Sequence, residues 1–250
     1  MSISIAHELA EKSMAYVAHE VESLVKPAIE GFLRFVKEPM EYKRQWMFDF
    51  YQNKDPDDGW IKRKGKGHDY KEHVHFRPRL PCLLRERGVN FSRHIEWLDA
   101  CAALYSKVRH LGEDIALELD EVYPTLRFGE RHKKSHGHVL RLCHYDAVHT
   151  NGSILAQPHF DRDLVTLHIA DNRPGLHAHD KLIPVQNGKI VAFVGDYLDY
   201  FTEGKFKALF HGAIEGAVDP HELATERWAV IFFNQLYEPP KGMPYWTRPK

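Results

Sequence analysis

The sequence predicts an α+β fold with a mainly β core, helices first and then a sandwich or jelly-roll barrel, the two halves segregated rather than alternating. Three observations predict it. Residues 91–122 carry the clearest helical period in the 250-residue chain. From about residue 137 the texture changes to short strand-like runs. Asn151-Gly152, Arg173-Pro174-Gly175 and Asn187-Gly188 separate those runs as turn signals, and many short strands with frequent turns argue for a sandwich or barrel.

Residues 4–37 read as helix, interrupted at Lys26-Pro27. Ala6, Leu9, Met14, Val17, Val21 and Leu24 recur at three- to five-residue steps, and Ile29, Phe32, Leu33 and Val36 continue the stripe. Pro27 can open a second helix, because the first turn leaves its N–H unused. The polar, Gly-broken run from Lys62 to Glu72, with Lys62-Arg63-Lys64-Gly65-Lys66-Gly67 at its head, reads as a solvated loop. His73 and His75 alternate around Val74 in an extended segment expected near the mouth of a site. In the 91–122 helix, Ile95, Leu98, Cys101, Tyr105, Val108, Leu111, Ile115, Leu119 and Val122 keep three- and four-residue steps, with Ser92 as the expected N-cap and Pro124 as the stop. Strands are expected at 138–145, 164–170, 181–185, 189–194, 207–214 and 227–233, with Asn187-Gly188 as a hairpin turn. The chain reads as a single domain: a helical N-terminal part with loops over 1–136, the β core over 137–235, and a tail over 236–250.

A formal net charge of −1 and a pI near 7 give no electrostatic footprint for nucleic acid or an anionic membrane. The odd set Cys82, Cys101 and Cys143 has no metal-type spacing, and a reducing cytoplasm is the simplest location. There is no signal-peptide pattern and no apolar run long enough to span a bilayer.

The chemistry centres on Pro158-His159-Phe160-Asp161 and, after 49 intervening residues, His211. Two imidazoles and a carboxylate suit a borderline divalent metal and leave positions open for reaction. On a strand, residues two apart share a face, so His159 and Asp161 can reach one ion while Phe160 packs away. With 18 histidines present, roughly one His-x-Asp arises by chance, and His144-Tyr145-Asp146 is a second. Only His159 has a later histidine, an arginine and a strand-like run at the matching spacing.

Further segments join the pattern: Arg162-Asp163-Leu-Val-Thr-Leu after the motif, Pro174-Gly-Leu, Gly195-Asp-Tyr-Leu, Thr202 to His211, and Arg227-Trp-Ala. In this order and spacing the chain resembles the 2-oxoglutarate/iron(II)-dependent oxygenases of the isopenicillin N synthase-like superfamily, well over 137–235 and more loosely before. The resemblance implies a distorted double-stranded β-helix, or jelly roll, backed by the N-terminal and central helices. It implies Fe(II) held by His159, Asp161 and His211, and 2-oxoglutarate as cosubstrate with its distal carboxylate on Arg227 and help from Tyr145. It implies O2 as oxidant and hydroxylation of a small organic molecule with release of succinate and CO2. A guanidinium fork answers a buried carboxylate with two directed bonds. Ala229 stands where the family usually has serine, Cys143 where it has asparagine, and the 212–226 loop is longer, with Asp219-Pro220-His221 and the glutamates Glu222 and Glu226. Two other readings stay open: an iron oxidase of the same fold that desaturates or closes rings without 2-oxoglutarate, and a non-catalytic jelly-roll binding protein. Substrate identity and oligomeric state are not written in these residues.

Overall fold

Alternation of period two writes the sheets of this molecule. In the computed structural model, which describes residues 4–49, 58–62, 71–145, 154–178, 181–184, 186, 188–215 and 226–238, the elements run α1 (Ile5–Lys12), β1 (Met14–Ala18), α2 (Glu22–Val36), α3 (Met40–Arg44), β2 (Met47–Phe48), β3 (Asp58–Lys62), β4 (Lys71–Phe76), α4 (Leu80–Glu86), α5 (Ile95–Val122), α6 (Phe128–Lys134), β5 (Val139–Tyr145), β6 (Ile154–His159), β7 (Val165–Asp171), β8 (Leu176–Ala178), β9 (Lys181–Leu182), β10 (Lys189–Val194), α7 (Asp196–Phe201), β11 (His211–Ile214) and β12 (Arg227–Asn234).

The strands form two antiparallel sheets. The larger has eight strands in the order β1-β10-β7-β12-β5-β4-β3-β2, and the smaller has four in the order β6-β11-β8-β9. Together they make the jelly roll. On the larger sheet Val74, Phe76, Leu140, Leu142, Leu167, Ile169, Ile190, Ala192, Val230 and Phe232 face outward into the main core with α2 and α5. Several of these side chains are fully buried, and each such burial contributes about 1.5–3 kcal/mol. The opposite face carries Cys143, Tyr145 and Ala229 towards Leu155 of the smaller sheet, and Val191 and Phe193 towards Leu176, Ala178 and Leu209. Polar residues enter this interior as Lys71, His73 and His75 from β4, Arg141 from β5, Thr166 and His168 from β7, and Arg227 from β12.

Three sequence expectations are corrected here. Residues 4–37 are not continuous helix. Ser13 adopts φ 60° and ends α1, its N–H bonding the Leu9 carbonyl, and Met14–Ala18 becomes β1, paired along its length with β10. Ala15 and Val17 face the main core while Met14 and Tyr16 face the inner one, so a strand buries both faces where a helix would bury one stripe. Pro27 does not break α2; the helix starts earlier, at a turn closed by the Val21 carbonyl, and Val25, Ala28, Ile29 and Phe32 are buried around the proline. Asn187 of the expected Asn187-Gly188 hairpin turn lies outside the described residues, and β9 and β10 on either side of it are not paired with each other. Both edges of β10 are taken, by β1 and β7, and β9 pairs instead with β8. Gly188 keeps the turn conformation at φ 71°.

The long helix is found as expected, but a 3-10 turn over Ser92–His94 precedes it. The Ser92 hydroxyl donates to the Asn90 side chain rather than capping α5. No helix among the described residues is long and apolar enough to cross a membrane. The basic stretch 63–70, Asn151-Gly152, His179, Asp219-Pro220-His221, Glu222 and the tail from 239 lie outside the described residues.

Candidate metal centre and active site

His159 is the last residue of β6 and His211 the first of β11, and the two pair directly across the smaller sheet. That register stacks their imidazoles with centroids 4.7 Å apart. Asp161 follows β6 after one residue and turns back towards both rings: its Oδ1 lies 3.3 Å from His159 Nε2 and its Oδ2 3.4 Å from His211 Nε2. One ligand atom from each of the three falls within 4.8 Å of the others.

The backbone fixes which ring nitrogens converge. His159 Nδ1–H donates to the Gln157 carbonyl at 2.7 Å and His211 Nδ1–H to the Leu209 carbonyl at 3.0 Å. Both Nε2 lone pairs are then free to face Asp161, the arrangement that outer hydrogen bonds impose on metal-binding histidines. Burial would raise the Asp161 carboxyl, but His211 and His159 beside it, with the Thr166 hydroxyl, hold it below the ordinary carboxylate range. Burial pushes His211 down to about 4, against the pull of Asp161. Two neutral imidazoles and an ionised carboxylate are the donor set a divalent ion requires, so the residues present fit one.

Thr166, on the inner face of β7, donates to Asp161 Oδ2 at 2.8 Å and lies 3.0 Å from Asp163 Oδ2. Asp163 is fully buried; burial, then repulsion from Asp161, raise its pKa well above the usual value. The threonine hydroxyl thus lies between the two carboxyl groups, and the Asn234 N–H donates to Asp163 Oδ2 as well. This second acid therefore orients the first instead of joining the cluster.

Arg227 opens β12 opposite Tyr145 on β5, buried, with its guanidinium carbon 5.7 Å from the Tyr145 ring. It lines the same cavity as His159, Asp161, His211 and Tyr145. Sequence reasoning missed its company. Nη1 donates to the Pro174 carbonyl at 2.9 Å and sits 3.7 Å from Glu215, while Nη2 lies 3.4 Å from Asp171. Nε has no partner. Glu215 also pairs with Arg173, and Asp171 Oδ2 lies 3.2 Å from His168 Nε2. A bulge at Ile169, where the β12 register jumps between Val230 and Ile231, turns both His168 and Asp171 inward although they are three residues apart. The available signal was the alternation of Thr166 and His168 with Val165, Leu167 and Ile169; the bulge left no mark in the sequence.

His73 and His75 occupy the inner face of β4, opposite Cys143 and Arg141, buried and away from the metal cluster. Ala229, in the place where serine was expected, pairs with Cys143 and, on its other side, with Asp171.

A jelly roll with two histidines and a carboxylate at one open end, and a buried arginine beside them, defines a class of metal-dependent oxidising enzymes. Residues 136–236, about two fifths of the chain, match the model of the 2OG-Fe(II) oxygenase superfamily. No curated protein sequence matches the chain. Among solved structures, a protein assigned to the oxygenases from Shewanella oneidensis is similar at 22% identity and TM-score 0.73, over 93% of this chain and 85% of that one. Full-length Neurospora crassa T7H in complex with alpha-KG gives 18%, 0.71, 93% and 78%. AtDAO1, the dioxygenase for auxin oxidation 1 from Arabidopsis thaliana, in a binary complex with 2-oxoglutarate, gives 17%, 0.70, 94% and 90%. At these identities the likeness is one of fold.

Proposed function

We propose that this protein is a 2-oxoglutarate-dependent dioxygenase that holds iron(II) on His159, Asp161 and His211, grips the distal carboxylate of 2-oxoglutarate with Arg227 beside Tyr145, and hydroxylates a small organic molecule. The observation that carries the reading is the convergence of two Nε2 atoms and one ionised carboxylate, each ring locked by a backbone carbonyl. Iron(II) with 2-oxoglutarate and O2 supplies the oxidising power, releasing succinate and CO2; the protein's part is to bind, orient and exclude.

In this assignment the two locked histidines and Asp161 present one face, and Thr166 keeps Asp161 from swinging. Arg227 meets the cosubstrate through its unpartnered Nε and by exchanging its 3.4 Å contact with Asp171 for the incoming carboxylate. Tyr145 walls that end of the cavity. A small substrate suits the cavity enclosed by Phe193, Leu176, Ile231 and Phe233; among proteins of this fold, T7H is solved with thymine and JOX2 with JA. No disulfide joins Cys82, Cys101 and Cys143, which fits a reducing compartment, and a cytoplasmic location is proposed on that ground.

Reconstitution tests the reading. Protein loaded anaerobically with iron(II) should take up O2 and form succinate only when 2-oxoglutarate is added. Succinate formation that survives removal of iron, or O2 uptake indifferent to 2-oxoglutarate, would refute it; the second result would favour an oxidase working without the keto acid.

A further inference from the structure

We propose that Arg141 binds a carboxylate of the substrate, so that the molecule oxidised is a small carboxylic acid with an apolar body. The inference rests on the iron and 2-oxoglutarate reading of the site and adds the substrate class to it.

Arg141 lies mid-strand on β5 and lines the cavity that His159, Asp161 and His211 share. Two contacts set the plane of its fork. Its Nε–H donates to His75 Nε2 at 2.8 Å, and its guanidinium carbon sits 4.4 Å over the Phe233 ring. Neither contact neutralises it. Arg227 and Arg173 meet Asp171 and Glu215, Arg77 and Arg79 share Asp58, and Arg162 faces Asp196. Arg141, by contrast, has no carboxylate within reach among the described residues. A guanidinium oriented by an imidazole and an aromatic face, with its Nη edge open to the cavity, is built for a planar bidentate anion.

The ladder sets the distance. Arg141 pairs with Ile231 and Ile231 with His168, while Thr166, which holds Asp161, pairs with Phe233 two residues on. Arg141 therefore stands two strands across, about 10 Å, and two residues along, about 7 Å, from the residue that anchors the metal carboxylate. A long side chain covers much of that span, so a carboxylate on Arg141 and a C–H bond over the metal belong to one small molecule. Phe193, Ile231 and Phe233 line the space and supply the apolar part of its recognition. Tyr145 lies four residues further along β5, and Arg227 faces it from β12, which leaves the cosubstrate its own cation.

The test uses the full chain loaded anaerobically with manganese(II) and 2-oxoglutarate, loading being verified first by calorimetric titration of 2-oxoglutarate. A series of straight-chain and phenyl-substituted carboxylic acids is then titrated against the amides of the same skeletons. Acids should bind at least about tenfold tighter than their amides, the scale of one charge-assisted bond. Arg141→Gln should erase that preference and leave 2-oxoglutarate affinity unchanged, while Arg141→Lys retains part of it. Acids no tighter than amides on the wild-type protein, whether both bind or neither does, overturn the proposal without any variant. Arg141→Gln weakening 2-oxoglutarate instead would make Arg141 part of the cosubstrate grip and also overturn it. A protein that binds no 2-oxoglutarate sinks the cosubstrate reading; the same acid and amide series on the metal-loaded protein still decides Arg141.

Discussion

His211 is held at both ends of its ring, by the Leu209 carbonyl on Nδ1 and by Asp161 facing Nε2. Removing it leaves two ligands and a buried carboxylate without its main partner. His211→Ala should reduce bound iron after anaerobic loading to near background and abolish 2-oxoglutarate-dependent succinate release; iron content by emission spectroscopy checks the first. Gly175 is a second sensitive position, since a Cβ there would lie 2.3 Å from Arg227 Nη2. Gly175→Ala should displace the guanidinium, weakening 2-oxoglutarate about tenfold or more while metal affinity stays within about twofold. Calorimetry of each ligand in turn separates the two effects. The three converging residues and Arg227 were legible in the sequence because their identities and spacing are unusual together. Asp171, Glu215 and His168 were not, because what brings them to Arg227 is a one-residue bulge in β7, and no residue type announces it.

At the scale of elements, α6 is docked by buried polar contacts rather than by apolar area alone. His132 Nε2 meets Asn234 Oδ1 at 3.0 Å, His138 Nε2–H donates to the His132 carbonyl, and the Gln235 N–H donates to His138 Nδ1. Both nitrogens of neutral His138 are thus used, and a second proton would break the bond from Gln235. Burial, reinforced by neighbouring His132, lowers His138 to about 3. The unfolded chain takes up this proton as pH falls through the ordinary histidine range, whereas the folded chain resists it until about pH 3. Stability from this group is therefore complete above the ordinary value and is lost progressively as pH falls towards the folded one. Urea midpoints should drop between about pH 8 and about pH 5, and the drop should be smaller in His138→Gln; equal slopes would count against the buried neutral form. Gly112→Ala attacks the same joint from α5, since its Cβ would fall 1.9 Å from Asn234 Oδ1. A cost of about 1–3 kcal/mol is expected from the disturbed bond and packing, read as a lowered urea midpoint. The periodicity of α5 was plain in the sequence, but this joint was not, since it depends on which residue of β12 faces which turn of α5.

On the scale of the whole molecule, two residues of the proposed metal centre, His159 and His211, sit on the smaller sheet, and Thr166, which braces the third, Asp161, sits on the larger. Occupying the site ties the sheets to each other. A ligand set present at a hundredfold over its dissociation constant stabilises by about 2.7 kcal/mol, which for a chain of this size corresponds to roughly 5–10 °C in melting temperature. Manganese(II) with 2-oxoglutarate should give a shift of that order in a thermal scan, and a chelator should reverse it. The general plan of helices followed by a β barrel could be read from the sequence, since amphipathic and alternating patterns are both long-lived there. The break within residues 4–37 could not, because Met14 and Val17 keep a helical step, and a strand buried on both faces carries apolar residues three apart just as well.

That short strand at the beginning of the chain has a practical consequence. β1 is the selvedge of the larger sheet: it covers the outer hydrogen-bonding edge of β10, and its Met14 and Tyr16 close the inner core over Val191 and Phe193. Trimming the first eighteen residues to tidy an expression clone would uncover a row of amides and carbonyls along a strand whose side chains are nearly all apolar, an open invitation to a neighbouring chain. Such a shortened protein should elute from a sizing column as aggregate, where the full chain does not.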